Sequence, residues 1–249
     1  MSNPNAPWKV SSTHPVLAEN EVHIWRASLQ PEQVVLSRLQ QFLAPDEIRK
    51  ASRFYFEKDR QRFIIARGVL RNIVSRYLNI PPNAVSFTYN VHGKPSLAFA
   101  FHEHYLHFNL SHSQDVACYA FTYARHVGID VEFMRSDIHY EELARHSFSA
   151  HEQATLATLP SNLKRQAFFN CWTRKEAYIK AKGRGLSLPL DLFDVSLRPD
   201  EPAILLANRE EPQEQTCWTL QEFLPAPDYA GAIAVEGKGW CERYWQWHN

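Results

Sequence analysis

The sequence lacks an excess of charge of either sign. Lysine and arginine total 27 residues and aspartate and glutamate total 27, so the formal net charge is zero. A neutral chain has no global field that would attract nucleic acid or an anionic membrane, and we expect neither partner. Any site for an anion must therefore be a local cluster of cations.

Cysteine is also scarce, and no leader or membrane segment is visible. The 249 residues include four cysteines, which are scattered and form no C-x-x-C pair, as is usual in a reducing compartment. No apolar run approaches the roughly 20 residues that span a bilayer, and the N-terminus shows no charged-then-apolar secretion signal. We therefore expect a soluble, cytoplasmic protein.

Helical and strand-like segments are mixed along the chain, which predicts an α+β fold. Two long amphipathic segments each lead through a short connection into a strand. These pairs are residues 59–78 with 84–90, and residues 165–182 with 193–197. The shared order indicates two similarly built lobes, at residues 1–125 and 126–249. We expect a long helix packed on a small, mainly antiparallel sheet in each lobe.

The segments between and after these pairs have predictions of their own. Residues 105–133 contain three strand-like runs joined by short polar connections, which indicates a meander. Residues 92–95 have the composition of a turn, with Lys94 exposed at its tip. Residues 198–215 are rich in proline and acids and predict a peripheral loop or hairpin. The aromatic end, residues 240–247, has helical spacing and predicts a tail docked on the core.

One acid lies on a helix face that is otherwise apolar. Phe169, Trp172 and Ile179 recur at the spacing of one buried face, and Glu176 falls on that face. A carboxylate there must be paired, protonated or bound to a cation, because a bare buried charge is costly. A surface ion pair with Lys180, four residues further on, is the simplest alternative.

Two more acids alternate with apolar residues in the strand-like segment "HVGIDVEF". Asp130 and Glu132 project from one face, with Cα atoms about 6.5–7 Å apart. A solvated sheet face explains such a pair without a ligand. With Glu176, the pair also supplies three carboxylates for one hard cation such as Mg²⁺, which completes its shell with water and phosphate. Lys175 and Lys180 would then border the acidic site and offset phosphate charge.

Two short polar motifs have structural explanations as well as functional ones. Ser111, His112 and Ser113 follow a strand, in a turn where such residues act as caps, and His112 is equally suited to a phosphate contact. Ser149 and Glu152 form an S-x-x-E capping box at a helix start. Neither motif decides the function by itself.

Five motifs occur in order between residues 92 and 196: "HGKP", "FNLSHS", "VGIDVE", "FSAHE" and "CWTRKEAYIKAKGRGLSLPLDLFDVS". In this combination the chain resembles the 4′-phosphopantetheinyl transferases of the Sfp type. A softer match extends to "APDEIRKASRF" and "DRQRFIIARGVLR". The resemblance implies a holo-[acyl-carrier-protein] synthase, which transfers 4′-phosphopantetheine from coenzyme A to a serine of an apo carrier protein and releases 3′,5′-ADP.

The resemblance also implies where the ligands lie. It predicts two lobes related by a pseudo-twofold axis, with coenzyme A in the cleft between them. A chain that contains both lobes could complete the cleft as a monomer. The metal ligands, for Mg²⁺ or for Mn²⁺ in its place, are implied to be Asp130, Glu132 and Glu176.

Further roles follow from the same motifs. Lys180 matches the lysine that contacts the pyrophosphate, and Glu152 matches a glutamate proposed to help deprotonate the attacking serine. Glu176 and a metal-bound water are alternatives to Glu152 for that proton, so the implied catalytic residues are Glu152, Glu176 and Lys180. The residues implied to bind coenzyme A are Lys50 and Arg62 near its 3′-phosphate, Gly93, Lys94 and Pro95 against its adenine, and Ser111, His112 and Lys180 at its phosphates. Lys175 is added to this set because it would border the acidic site and offset phosphate charge.

One departure from the family pattern concerns the 3′-phosphate. In "APDEIRK" the family often has a second basic residue where this chain has Glu47, and Arg49 or Arg53 would then have to compensate. Two other functions stay open. A different Mg²⁺-dependent phosphoryl transferase could use the same acids, although no P-loop accompanies them. A non-catalytic homologue that only binds coenzyme A or a carrier protein would not need the three acids.

Overall fold

A computed structural model of the protein describes residues 7–10, 15–30 and 32–248. The α-helices of this part of the chain are α1 Gln33–Gln40, α2 Pro45–Ala51, α3 Glu57–Leu78, α4 Tyr140–Ser147, α5 Ala150–Thr158, α6 Ser161–Lys182 and α7 Glu214–Cys217. Its strands are β1 Lys9–Val10, β2 Glu21–Ser28, β3 Phe87–Tyr89, β4 Pro95–Leu97, β5 Leu106–Ser113, β6 Val116–Tyr123, β7 Val127–Phe133, β8 Phe193–Val195, β9 Leu205–Asn208, β10 Trp218–Phe223, β11 Tyr229–Glu236 and β12 Cys241–Gln246.

The N-terminal half is built from α3 and a five-stranded sheet. The helix ends at Asn79, which adopts the left-handed conformation, and two prolines soon follow. The strand order is β1-β12-β2-β6-β5, and β2, β6 and β5 pair in antiparallel fashion. Trp25, Tyr119 and Phe121 project from the sheet into one core with the apolar face of α3.

The C-terminal half repeats this plan with α6 and a smaller sheet. The helix ends at Gly183, whose left-handed backbone suits glycine. The sheet is antiparallel, in the order β10-β11-β7. Alternate residues of β11, among them Ala232 and Ala234, face the core shared with α6. The predicted α+β fold, with a long helix packed on a sheet in each half, is confirmed. The C-terminal sheet is antiparallel as predicted, whereas the five-stranded sheet is mixed, because β12 pairs in parallel with both β1 and β2.

The two sheets pack against each other through their remaining faces. Val22 and Ile24 of β2 join Ile129 and Val131 of β7 in a core between the sheets. The layers therefore run from α3 through the two sheets to α6. Because β7 turns its apolar residues toward the other sheet, its alternate residues face α6. The predicted pseudo-twofold axis stays a prediction.

The aromatic end of the chain forms a strand, so the predicted helical spacing is wrong there. Residues 241–246 are β12, which runs parallel to β2 with Trp245 opposite Trp25. An open strand edge offers a row of unpaired main-chain groups, and pairing with that edge favours a strand over a helix. Tyr244 and Trp247 are buried, as a docked tail requires. The lobe boundary at 125/126 stays a prediction, although β12 completes a sheet of the first half.

Two other expectations can be compared with the structure. The hairpin alternative for residues 198–215 is confirmed in part, because β9 pairs antiparallel with β8 and the short helix α7 follows. Cys118 and Cys171 are buried while Cys217 and Cys241 are exposed, and all four are free thiols. Across the described ranges, no helix is both long enough and apolar enough to cross a membrane.

Candidate active site

A cleft of about 810 Å³ lies between the two halves. One wall comes from α2 and α3, another from β5 and the turn between β3 and β4, and the last from the C-terminal half of α6. At one end it continues into a recess of about 440 Å³. The recess is lined by Leu110, Ser111, His112, Asp130, Glu132, Trp172, Glu176 and Lys180. The three acids predicted from the sequence therefore line one recess.

A glycine in β7 brings the acids close to α6. A Cβ atom on Gly128 would lie 2.0 Å from the carbonyl oxygen of Ala177 and 2.3 Å from the amide nitrogen of Ala181. Only glycine permits the strand and the helix to approach this closely. Asp130 and Glu132 follow on the same face of the strand and are thereby carried to the side of α6 that presents Glu176 and Lys180.

One cation is paired with the acids. Nζ of Lys180 lies 2.7 Å from Oδ1 of Asp130 and donates to Oγ of Ser111 at 2.9 Å. Oγ of Ser111 in turn donates to Oδ1 of Asp130 at 2.8 Å, and Oγ of Ser113 donates to Oε2 of Glu132 at 2.8 Å. Lys180 thus pairs with Asp130 of β7. The structure does not show the simple surface pair between Lys180 and Glu176.

The acids of the recess are not fully compensated by protein groups. Burial, followed by the nearby Asp130 carboxylate, raises the pKa of Glu132 to about 7, and Ser113, Lys180 and Glu176 have smaller effects. The same two causes raise the pKa of Glu176 against the opposing effect of Lys180. Oδ2 of Asp130 is buried without a hydrogen-bond partner. The recess therefore favours an additional positive group.

These residues suit a hard divalent cation. All three acids offer carboxylate oxygens, which Mg²⁺ prefers, and the unpartnered Oδ2 of Asp130 is a free donor atom. The chain does not hold them in a finished coordination shell: within the described residues, no three acidic, histidine or cysteine side chains already form a group that could hold a metal. Mg²⁺ usually completes its shell with water and substrate phosphate, so a partial set of protein ligands fits this ion.

The polar motif of β5 lies in a strand, which corrects the predicted turn. Ser111, His112 and Ser113 are the last residues of β5, and each pairs with a residue of β6. Side chains of a strand alternate, so Ser111 and Ser113 face the acids of β7. His112 lines both the cleft and the recess. Desolvation by the surrounding protein, followed by the positive charges of Lys180 and Arg62, lowers the pKa of its imidazole. A neutral imidazole can donate one hydrogen bond there.

Lys94 has a different environment from the exposed one predicted. Its ammonium donates to the carbonyl oxygens of Lys180 at 2.6 Å, Val127 at 3.1 Å and Ala181 at 3.3 Å. Burial lowers its pKa to about 8. Together with the bond from Asn90 to the carbonyl of Gly183, this ties the β3–β4 turn to the end of α6. Lys94, Gly93 and Pro95 all line the cleft, and their contact with adenine stays a prediction.

Glu152 lies outside the cleft, which corrects its predicted catalytic role. It is 0% exposed and accepts from the amides of Ser149 at 2.9 Å and Val195 at 2.8 Å. Its Oε2 also lies 2.8 Å from Nζ of Lys175. Both carboxylate oxygens are therefore occupied by protein donors, and neither can receive a proton from a substrate in the cleft. The capping box predicted for Ser149 and Glu152 is confirmed.

Lys175 likewise does not contact the cleft, so its predicted role in binding is wrong. Besides Glu152, its ammonium donates to the carbonyls of Leu190 at 2.7 Å and Phe193 at 2.6 Å. The side chain is 1% exposed. One residue along a helix is about 100° of rotation, so Lys175 and Glu176 project from different faces of α6. Only the face with Glu176 and Lys180 lines the cleft.

At the other end of the cleft, two of the predicted cations have different positions. Lys50 lines the cleft, and its ammonium lies over the ring of Phe63, 5.4 Å from the centroid. Arg62 is absent from the cleft lining and binds Asp115 at 2.7 Å, where the β5–β6 turn holds it. Of these two cations, Lys50 lines the cleft and Arg62 does not, and the predicted role of Lys50 at the 3′-phosphate stays a prediction.

Several cleft residues were missed by the sequence reasoning, and two of them have polar groups that could contact a ligand. Arg67 and Tyr89 line the same end as Lys50. A signal for Arg67 was present, because it follows Phe63 by four residues and precedes Leu70 by three, on the apolar face of α3. It is a charge on a buried stripe, as Glu176 is. Tyr89 has no such signal, because one aromatic residue in a short strand is ordinary.

Comparison with known proteins identifies the family. A sequence model described as 4'-phosphopantetheinyl transferase superfamily matches residues 126–234, and one described as 4'-phosphopantetheinyl transferase, N-terminal, matches residues 25–123. The 4'-phosphopantetheinyl transferase HetI of Nostoc sp. is 40% identical over 96% of this chain and 98% of its own length. The chain belongs to the 4′-phosphopantetheinyl transferase superfamily.

Other members of the superfamily are similar over most of the chain. The 4'-phosphopantetheinyl transferase Sfp of Bacillus subtilis is 32% identical over 80% of this chain and 84% of Sfp. The L-aminoadipate-semialdehyde dehydrogenase-phosphopantetheinyl transferase of Xenopus laevis is 26% identical over 77% of this chain and 67% of that protein. The resemblance to Sfp-type enzymes and the predicted function, transfer of phosphopantetheine to carrier proteins, are confirmed at the level of the family.

Proposed function

We propose that the cleft binds coenzyme A with its diphosphate in the acidic recess, and that Asp130, Glu132 and Glu176 hold Mg²⁺ there. The observation that carries this proposal is the charge imbalance of the recess: three carboxylates face one ammonium group, and Oδ2 of Asp130 has no partner. In a phosphopantetheinyl transferase, a divalent cation is the positive group that fits such a recess.

The chain's own polar groups would orient the diphosphate. Lys180 borders the acids and its side chain is 28% exposed, so its ammonium group can reach a phosphate oxygen. His112 offers an N–H donor from the same wall, and Ser111 holds Lys180 in place. Mg²⁺ bound in the recess would supply Lewis-acid stabilisation of the charge on the diphosphate. The ammonium group of Lys180 would contribute to the same stabilisation, because Asp130 and Ser111 already hold it beside the site of the diphosphate.

In the transfer step, the carrier serine attacks the phosphorus that bears the pantetheine arm. A bond forms from the serine oxygen to this phosphorus, and the bond from phosphorus to the bridging oxygen breaks. The leaving group, 3′,5′-ADP, keeps the electron pair of that bond. Of this chain's groups in the recess, Glu176 is the one we assign to accept the serine proton, because its carboxylate lines both the cleft and the recess. Glu152 is too enclosed for this role.

The remaining cleft residues would hold the other parts of coenzyme A. Gly93 and Pro95 line the cleft on the β3–β4 turn and are assigned to the adenine. Lys94 supports this turn by its contact with the end of α6. Since residues of both halves line one cleft, a single chain is sufficient to bind the substrate. We assign the protein to the cytoplasm, whose reducing conditions suit its four free thiols.

The direct test is mass spectrometry of carrier proteins. The purified protein is incubated with coenzyme A, Mg²⁺ and a panel of apo carrier proteins, and a mass gain of one phosphopantetheine is expected on at least one carrier. A carrier whose acceptor serine is replaced by alanine is the control and should gain nothing. If coenzyme A binds by calorimetry while no carrier gains mass, the chain is a binding homologue and the proposal fails.

A further inference from the structure

The end of the cleft opposite the acidic recess contains a buried cluster of charged residues. Glu47 of α2 is 2% exposed, and it accepts from Nε of Arg67 at 2.7 Å and from Nε of Arg71 at 2.5 Å. It also accepts from the amide of Ala44 at 2.9 Å. The carboxylate is therefore satisfied, and its acidic charge is not presented to a ligand. Glu47 and Arg67 line the cleft.

Arg67 is held in one orientation by this cluster. Its Nη2 donates to the hydroxyl of Tyr89 at 2.6 Å, while its guanidinium lies over the rings of Phe87 at 5.0 Å and Tyr89 at 5.7 Å. The bonds from Arg67 to Glu47 and Tyr89 use its Nε and Nη2 atoms and do not use Nη1. A guanidinium fixed in this way is preorganised for an anion, because little rotamer freedom is lost on binding.

The net charge at this end is positive. Lys50 and Arg67 line the cleft together with the acids Asp46 and Glu47. Arg71 does not line the cleft, but its pairing with Glu47 brings the sum for this end to one positive charge. The other cations near this end are placed differently. Arg62 is paired with Asp115. Arg49 and Arg53 line an adjoining recess, which shares Asp46, Lys50 and Phe54 with the cleft, and do not line the cleft itself. Lys50 and Arg67 are therefore the cations of this end that line the cleft.

We propose that Arg67, together with Lys50, binds the 3′-phosphate of coenzyme A, and that Glu47 and Tyr89 are positioning residues that orient Arg67. This inference rests on the proposed function. Coenzyme A has a diphosphate and, on its ribose, a separate 3′-phosphate. With the diphosphate in the acidic recess, the 3′-phosphate needs a second cationic region in the same cleft. The planar guanidinium suits a phosphate, and it supplies from α3 the second basic group that Glu47 does not supply from α2.

The experiment compares two donors that differ only in this phosphate. We would measure kcat/KM with coenzyme A and with 3′-dephospho-coenzyme A, for the unmodified enzyme and for Arg67→Met. The variant should lose about 10- to 100-fold with coenzyme A, the cost expected for a charge-assisted hydrogen bond, and less than about threefold with the dephospho donor. Lys238→Met, which removes an exposed cation that does not line the cleft, is the control and should change neither value.

A purely structural role for Arg67 would lower kcat/KM equally for both donors, and that result overturns the inference. Tyr89→Phe provides a second variant that is safe for folding, because Tyr89 is 46% exposed and loses only its hydroxyl. Its preference for coenzyme A over the dephospho donor should fall about two- to fivefold, and an unchanged preference would contradict the positioning role. If the unmodified enzyme uses both donors equally well, this inference fails alone. If it uses neither with any carrier, the proposed function fails.

Discussion

Two groups of acids beside α6 differ in how completely the protein compensates them. Glu152 has two backbone amides and the ammonium of Lys175 around its carboxylate, all in the protein interior. The recess has three acids, one of them with a buried oxygen that lacks a partner, and Lys180 as their paired cation. Lys175 and Glu176 project from different faces of α6. One face of this helix therefore contributes to a fully paired acid, and the other contributes to the incompletely paired acids of the recess.

The difference teaches how to separate structural acids from functional ones. A fully paired acid lowers the free energy of the folded state and leaves no donor atom for a ligand. An under-compensated acid costs stability, and the protein recovers that cost when a cation binds. Replacing one acid of each kind should therefore have opposite consequences.

The largest effect is expected for Glu176→Gln. Loss of a metal ligand and of the candidate base should lower kcat/KM for transfer by about 10³-fold, equivalent to about 4 kcal/mol. The free energy of unfolding without Mg²⁺ should stay the same or rise, because one of the repelling carboxylates is gone. Steady-state kinetics and urea unfolding measure the two quantities. Full activity in this variant would remove Glu176 from the site.

Glu152→Gln should produce the reverse pattern. It leaves the ammonium of Lys175 buried without its counter-charge, which typically costs about 3–5 kcal/mol of the free energy of unfolding. At a temperature where the variant is folded, its kcat should stay within about threefold of the unmodified value, because the carboxylate does not reach the cleft. The double variant Glu152→Gln/Lys175→Met should regain part of the lost stability. A loss of kcat in the folded variant would falsify the structural role.

A smaller effect is expected in the pH dependence of stability. The pKa of Glu132 is raised from 4.5 to about 7, so the folded state holds its proton more tightly than the unfolded state does. The free energy of unfolding should therefore fall as the pH rises from about 4.5 to 7, by up to about 3 kcal/mol from this group. Glu132→Gln should lose this contribution and be the more stable protein at pH 8 without divalent cations. Parallel pH profiles of the two proteins would contradict the raised pKa.

The smallest effect concerns the contact between the two halves. Lys94→Met removes the donor to the carbonyls of Val127, Lys180 and Ala181 and should lower the free energy of unfolding by about 1–2 kcal/mol. Lys238→Met, at an exposed lysine, is the control and should change it by less than about 0.5 kcal/mol. Equal values for the two variants would mean that the Lys94 contact adds no stability.

Local pattern was sufficient to predict much of this site. The spacing of apolar residues placed Glu176 on a buried face, and strand alternation placed Asp130 and Glu132 side by side. Both depend on residues within a few positions of each other. The long helices and the antiparallel pairing of β5 with β6 were predictable for the same reason.

The errors concern partners that are distant in sequence. Lys175 was assigned to the cleft because it is next to Glu176, but its true partner is 23 residues away on α5, and only tertiary packing brings the two together. Arg62 was likewise assigned by position, whereas Asp115 of the β5–β6 turn holds it. The tail became a strand because β2 had an open edge, which no local spacing reveals.

Calorimetric titration with Mg²⁺ is the most direct test of the central claim, that the under-compensated acids bind the metal and the paired acid does not. The unmodified protein, Glu152→Gln and Glu176→Gln are compared at one temperature where all three are folded. We predict the same Kd for the first two proteins and a Kd at least about tenfold higher for Glu176→Gln, as expected for a lost ligand. Equal Mg²⁺ affinity in all three proteins, or a loss in Glu152→Gln as large as in Glu176→Gln, would contradict the claim.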